Sequence, residues 1–165
     1  MDDIPHAAYF YTMATVAITF AGFASILMAL RQGPASMSRF HLWVTRSYIQ
    51  AGLVTAMCAM LPPLLFALGL SLDLTWRIAS ALIGFPALAM LMAAPRQWRA
   101  ATDQPVQPRV WAQIGIGVVI NTALIFNAAG WPWEPAAGPL MLAISWNLFA
   151  FFIQFAESVS FFFET

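Results

Sequence analysis

Three polar side chains lie inside the last apolar stretch of this 165-residue chain: Asn147, Gln154 and Glu157, within LMLAISWNLFAFFIQFAESVSFFF at 140–163. A carboxylate at membrane depth is costly unless it faces protein, water or a partner, so Glu157 is a candidate for attracting cations or carrying protons. Amide side chains such as Asn147 and Gln154 offer a donor and an acceptor each, which suits the coordination of polar solutes. Ser158 projects within the same narrow arc at the 3.6-residue period, with Glu157 on its flank. A second set lies near the start of the chain, where Thr12, Thr15, Thr19 and Gly22 form a stripe on one helical face. Further candidates are Gln113, Gly117, Asn121 and Asn127 on a shared face of a third segment, and Arg46 with Gln50 one turn apart on a fourth.

These residues need helices to hold them, and composition says in what solvent. With 61% hydrophobic and 8% charged residues, the chain is far more apolar than the roughly half-apolar, quarter-charged norm of soluble domains. An all-α, polytopic membrane protein is the class that fits. Charge-free stretches and their boundaries predict five transmembrane helices at 7–30, 42–69, 76–94, 110–129 and 139–163, forming one membrane domain over 1–165. Pro62 and Pro63 are expected to kink or end the second helix, and Gly84 with Pro86 to interrupt the third. The stretch 95–109, with Arg96, Arg99 and Arg109, reads as a polar loop. The first residues are acidic and lack the positive region of a signal peptide, so the first helix is expected to be retained.

Five spans put the two ends of the domain on opposite sides. Arg31, Arg39, Arg46, Arg96, Arg99 and Arg109 fall on one side and only Arg77 on the other, so the positive-inside rule predicts the N-terminus outside and the C-terminus cytoplasmic. Tryptophans agree as interfacial belts, with Trp43, Trp98 and Trp111 at the inner boundary and Trp76, Trp131 and Trp133 at the outer. Trp146 falls within the fifth helix. Asp73, four residues before Arg77, is its natural local partner.

Lipid offers no hydrogen bonds, so the polar faces are expected to point inward, toward one another or toward water. Each has a purely structural reading beside the functional one. Threonines can bond to the carbonyl one turn back, and Ala17, Ala21 and Ser25 can serve close packing. Asparagines can act as glue between helices. Arg46 and Glu157 enter from the same side and reach similar depth, so a structural ion pair competes with a water-filled path as the explanation of Glu157.

The seven basic side chains are all arginine, so Schiff-base chemistry on lysine is excluded. Zero formal net charge gives no global field for nucleic acid. The single cysteine, Cys58, has no intrachain partner for a disulfide. His6 and His41 are predicted on opposite sides of the membrane, which argues against paired haem ligation. No phosphate loop, metal-ligand spacing or nucleophile elbow is present, so no enzyme, metal or cofactor is expected.

The segments Thr19-Phe20-Ala21-Gly22-Phe23-Ala24, Arg39-Phe40 followed by Arg46, Leu61-Pro62, Trp76-Arg77-Ile78-Ala79-Ser80, and Gly138-Pro139 through Ile153-Gln154-Phe155 resemble a pattern of small bacterial integral membrane proteins that carry no assigned function. That resemblance implies a bacterial inner membrane and no particular activity. The tryptophan-rich, five-helix layout is also similar in outline to the TspO translocator family. The Trp-Pro-rich segment expected in that family's first loop is absent from 33–43, so its porphyrin or cholesterol site is not carried over.

Five short helices enclose little interior, while the polar stripes exceed what one small bundle needs, so a homo-oligomer is expected. The leading expectation is a channel or pore for ions or small polar solutes, monovalent or divalent cations among them. In it Asn147, Gln154 and Ser158, or Thr12, Thr15 and Thr19, line the path, and Glu157 forms a ring at the cytoplasmic mouth. Two alternatives stand beside it. One is a ligand-binding or transport protein with a pocket within one bundle at Trp146, Asn147 and Asn121. The other is a non-catalytic structural or signalling partner with Arg46 and Glu157 paired.

Overall fold

The computed structural model describes residues 4–30, 39–102, 106 and 108–163, with the side chains of 27–30, 39–45, 48, 101–102, 154 and 157–163 outside that description. The described residues form five α-helices and no strand: α1 (Ala7–Leu30), α2 (Arg39–Ala67), α3 (Leu72–Thr102), α4 (Pro108–Ala129) and α5 (Ala137–Phe163). Four of them, α1 to α4, are long and apolar enough to cross a membrane. The described part of α5 contributes a shorter apolar segment, Ala137–Ile153.

Proline changes the helices less than expected. Pro62 and Pro63 lie inside α2 without ending it, and Pro86 and Pro95 lie inside α3. Each proline removes one backbone donor, a loss that membrane helices tolerate where packing against neighbours compensates. Both Pro62 and Pro63 are buried among such neighbours. The stretch expected to open a loop at Pro95 instead continues α3 to Thr102. Arg96, Gln97, Arg99 and Ala100 are good helix formers, and Arg99 in the last turn suits the negative end of the helix dipole. What does end α2 is Gly69: its φ of 88° is a left-handed conformation that glycine adopts freely, and its N–H donates to the Phe66 carbonyl at 2.9 Å.

The helices assemble as two pairs joined by direct packing of α2 on α3 and by a fifth helix. Helix α1 packs along α2, α3 packs along α4, and among the described residues α5 alone touches all four others. The α1–α2 seam is close because its residues are small. A Cβ on Gly52 would lie 2.9 Å from the Ala21 Cβ and 3.0 Å from the Ala17 carbonyl oxygen. Ala17, Ala21 and Ala24 are buried there, whereas Ser25 is exposed and bonds back to the Ala21 carbonyl at 2.8 Å. The main core gathers Phe10, Trp76, Ile83, Leu124, Leu140 and Ile144 from α1, α3, α4 and α5. Trp76 is therefore not an exposed belt residue: it is buried and stacked on Phe10, with ring centroids 6.1 Å apart. Trp131 and Trp133 are exposed, as is Trp111.

Candidate functional site

The polar face read along α4 lies against the rest of the bundle. Gly117, Ile120, Asn121, Leu124 and Asn127 are all buried, at the three- and four-residue spacing of a single helical face. Its two asparagines are fully buried and chemically unalike.

Asn127 is satisfied on both ends of its amide. Its Nδ2 donates to Ser80 Oγ at 2.8 Å and to the Ala136 carbonyl at 3.0 Å, while its Oδ1 accepts from the Ala136 N–H at 3.0 Å. One side chain thus holds α4, α3 and the approach to α5 in register. Arg77 reinforces the same end. Its Nε donates to Asp73 Oδ2 at 2.8 Å, and its Nη1 donates to the Ala129 carbonyl at 3.1 Å, taking up an acceptor at the end of α4. The partnership of Asp73 with Arg77 is the one their spacing predicts. The guanidinium covers Gly130, whose φ is 70°.

Asn121 is half satisfied. Its Nδ2 donates to the Gly117 carbonyl one turn back at 2.8 Å, and this fixes the amide orientation, because an oxygen there would face another oxygen. Its Oδ1 is buried and accepts no hydrogen bond among the described residues. In a low-dielectric interior an unpaired acceptor costs about 1–3 kcal/mol. Thr75 Oγ1, in the first turns of α3, is similarly buried without a partner among the described residues.

The surroundings of Asn121 come from α3 and α5. At Gly84 the α3 backbone closes on α4, where a Cβ would lie 3.0 Å from the Leu124 Cβ and 3.5 Å from the Asn121 backbone oxygen. At Gly117 a Cβ would lie 3.0 Å from Leu91 Cδ1 and 3.5 Å from Trp146 Nε1. The indole donor of α5 is therefore seated against the glycine whose carbonyl receives the Asn121 amide. Trp146 and Asn147 follow the fully buried Ala143 by three and four residues, so both project on its side of α5; each is half-buried. The Trp146 ring also meets Phe149, centroids 6.1 Å apart. Trp146 thus reaches α4 at Gly117, one turn from Asn121, while Asn147 is recorded against no residue of α4.

The other expected site residues are not gathered there. Thr12, Thr15 and Thr19 lie on the exposed exterior of α1, and each hydroxyl donates to the carbonyl four residues back, at 2.7, 2.9 and 2.8 Å. These three hydroxyls show the structural reading, each satisfied by its own helix and needing no polar neighbour. Arg46 is exposed. The side chains of Gln154, Glu157 and Ser158 lie outside the described residues, and with them the Arg46–Glu157 ion pair. Among the described residues no group of three or more His, Cys, Asp or Glu comes together.

Tyr9, Ser145 and Ser80 carry polar contacts that spacing did not single out. The Tyr9 hydroxyl lies 2.7 Å from Ser145 Oγ and donates to the Met141 carbonyl at 2.7 Å, tying the start of α1 to α5. Its partners are more than 130 residues away in sequence, so no local periodicity points to them. Neither any protein family nor any curated protein or solved structure matches this chain.

Proposed function

We propose that this chain is a non-enzymatic, multi-pass protein of the bacterial inner membrane that binds or transports a small polar or amphipathic ligand within its own bundle. Its five helices all span, with the N-terminus outside and the C-terminus cytoplasmic, the orientation that the arginine distribution favours. The observation that carries the reading is the fully buried Asn121 Oδ1, which accepts no hydrogen bond among the described residues. Buried polar groups in membrane helices are normally paired, and one left open marks a place where something else supplies the partner.

The ligand-holding seam is tested by thermal unfolding of the purified protein in detergent against a panel of small amphipathic solutes. A saturable rise in the unfolding midpoint, lost in Asn121→Leu, supports the reading; no saturable response across the panel contradicts it.

A second reading, an oligomeric pore for ions or small polar solutes, draws on the exposed stripe of Thr12, Thr15 and Thr19. A polar stripe on the outside of a protomer faces either lipid or another copy of the chain, and a homo-oligomer closed around α1 would turn it toward water. Proteoliposomes should then conduct ions, with Glu157→Gln changing selectivity or rate. Absence of flux across a range of cations, pH and voltage would count against it.

A further inference from the structure

One exposed face of α3 has the chemistry of a lipid turned inside out. Phe85, Ala89, Met92, Arg96 and Arg99 recur at alternating four- and three-residue steps, so they share a face, and all five are exposed. Its inner part is apolar and its end is cationic. The α3–α4 register adds a third charge to that end. Gly84 lies against Leu124, Leu91 against Gly117, and Ser80 bonds Asn127, so this antiparallel pair, continued in the same step, sets the exposed Arg109 level with Arg99.

Depth follows from the other end of the helix. Arg96 comes nineteen residues after Arg77. At about 1.5 Å per residue that is about 28 Å, close to the roughly 30 Å of a hydrocarbon core. With Arg77 beside the exposed Trp131 and Trp133 at one boundary, Arg96 falls at the other, and Arg99 one turn farther out among the headgroups. Phe85 lies about 16 Å inward of Arg96, near the midplane, so the stripe runs the depth of one leaflet.

The two boundaries differ in counter-charge. Arg77 is paired with Asp73 at 2.8 Å, whereas Arg96 and Arg99 make no ion pair among the described residues. The acids whose side chains are described, Asp73 and Glu134, belong to the far end. A guanidinium presents a planar fork that matches two phosphate oxygens, and cations at this depth attract anionic lipid. We infer that Arg96 and Arg99, with Arg109 beside them, seat the phosphodiester of an anionic glycerophospholipid whose headgroup carries no compensating positive charge, while its acyl chain lies along Met92, Ala89 and Phe85. The apolar approach selects a lipid over a soluble anion. This contact requires α3 and α4 to cross the bilayer and is independent of any ligand within the bundle.

The experiment uses the full-length purified protein in an uncharged maltoside detergent and three probes: short-chain phosphatidylglycerol, phosphatidylcholine of the same chains, and inorganic phosphate. Unfolding midpoints are recorded against probe concentration. Phosphatidylglycerol is expected to raise the wild-type midpoint saturably. Phosphatidylcholine, whose choline cancels the charge, and inorganic phosphate, which has no apolar part, should leave it unchanged. The double variant Arg96→Gln with Arg99→Gln should need roughly thirtyfold more phosphatidylglycerol, equivalent to about 2 kcal/mol. Arg96→Lys with Arg99→Lys keeps both charges and should stay within about threefold of wild type. An equal response to phosphatidylcholine overturns the charge selection, and an equal response to inorganic phosphate overturns the lipid. A phosphatidylglycerol response undiminished in the glutamine variant overturns the arginine site; it is the result expected if Asp103, Glu157 or Glu164 already neutralises these arginines. No saturable response to phosphatidylglycerol overturns the inference outright.

Discussion

Asn121 and Asn127 show how two identical side chains on one buried face come to opposite ends. Asn127 has every polar atom engaged, and removing it strands the Ala136 N–H and carbonyl together with Ser80 Oγ. Asn127→Leu should therefore lower unfolding free energy by about 2–4 kcal/mol, read from denaturant or thermal unfolding in detergent. Asn121→Leu removes an amide whose oxygen is already unpaired and whose nitrogen serves a carbonyl of its own helix. Without ligand it should leave stability within about 1 kcal/mol of wild type, or raise it, since exchanging an unsatisfied polar group for an apolar one of similar shape is neutral or favourable. The threonines of α1 make a third case. With each hydroxyl bonded to its own helix, the triple change of Thr12, Thr15 and Thr19 to Val should alter monomer stability by less than about 1 kcal/mol, measured the same way.

Glycines fix how closely helices approach and how they end. A methyl on Gly52 meets the Ala17 carbonyl and the Ala21 Cβ, both on a packed helix that must shift bodily, so Gly52→Ala should cost about 1–3 kcal/mol and Gly52→Val more. Gly130→Ala forces a side chain into a left-handed conformation and within 2.5 Å of the Arg77 guanidinium. Arginine can swing aside, so the steric part is small, but doing so breaks its bond to Ala129; about 1–2 kcal/mol is expected, seen as a lowered unfolding midpoint. Sequence periodicity was informative at this scale where burial followed one face, as for Gly117, Asn121 and Asn127. It misjudged α3, because the good helix formers after Pro95 carry the helix on to Thr102. It also misplaced Trp76, since tryptophan beside arginine at the start of an apolar run resembles an interfacial anchor, and only tertiary packing against Phe10 turns it inward. The partners of Asn127 and Tyr9 were illegible for another reason: loop register and long-range pairing leave no local pattern.

For the whole molecule, α5 is the element that meets all four others and, with the direct packing of α2 on α3, joins the α1–α2 pair to the α3–α4 pair. Within its described part, Trp146 is the side chain that reaches α4, against Gly117; the side chains of Gln154, Glu157 and Ser158 lie outside the described residues. The proposed five spans with the N-terminus outside predict that a reporter fused after residue 165 is active only in the cytoplasm and one placed in the 130–136 turn only outside; equal activity on one side would contradict the crossing of α5. The central claim is that the open Asn121 acceptor receives a ligand within the bundle, one helical turn from the glycine against which Trp146 lies. It is tested most directly by the indole N–H resonance of Trp146, identified by its absence in Trp146→Phe, in protein labelled with 15N-tryptophan. Titration with a solute that raises the unfolding midpoint should move that resonance saturably in the wild type and leave it fixed in Asn121→Leu. A Trp146 resonance that does not move in the wild type, or that moves equally in both proteins, would contradict the account.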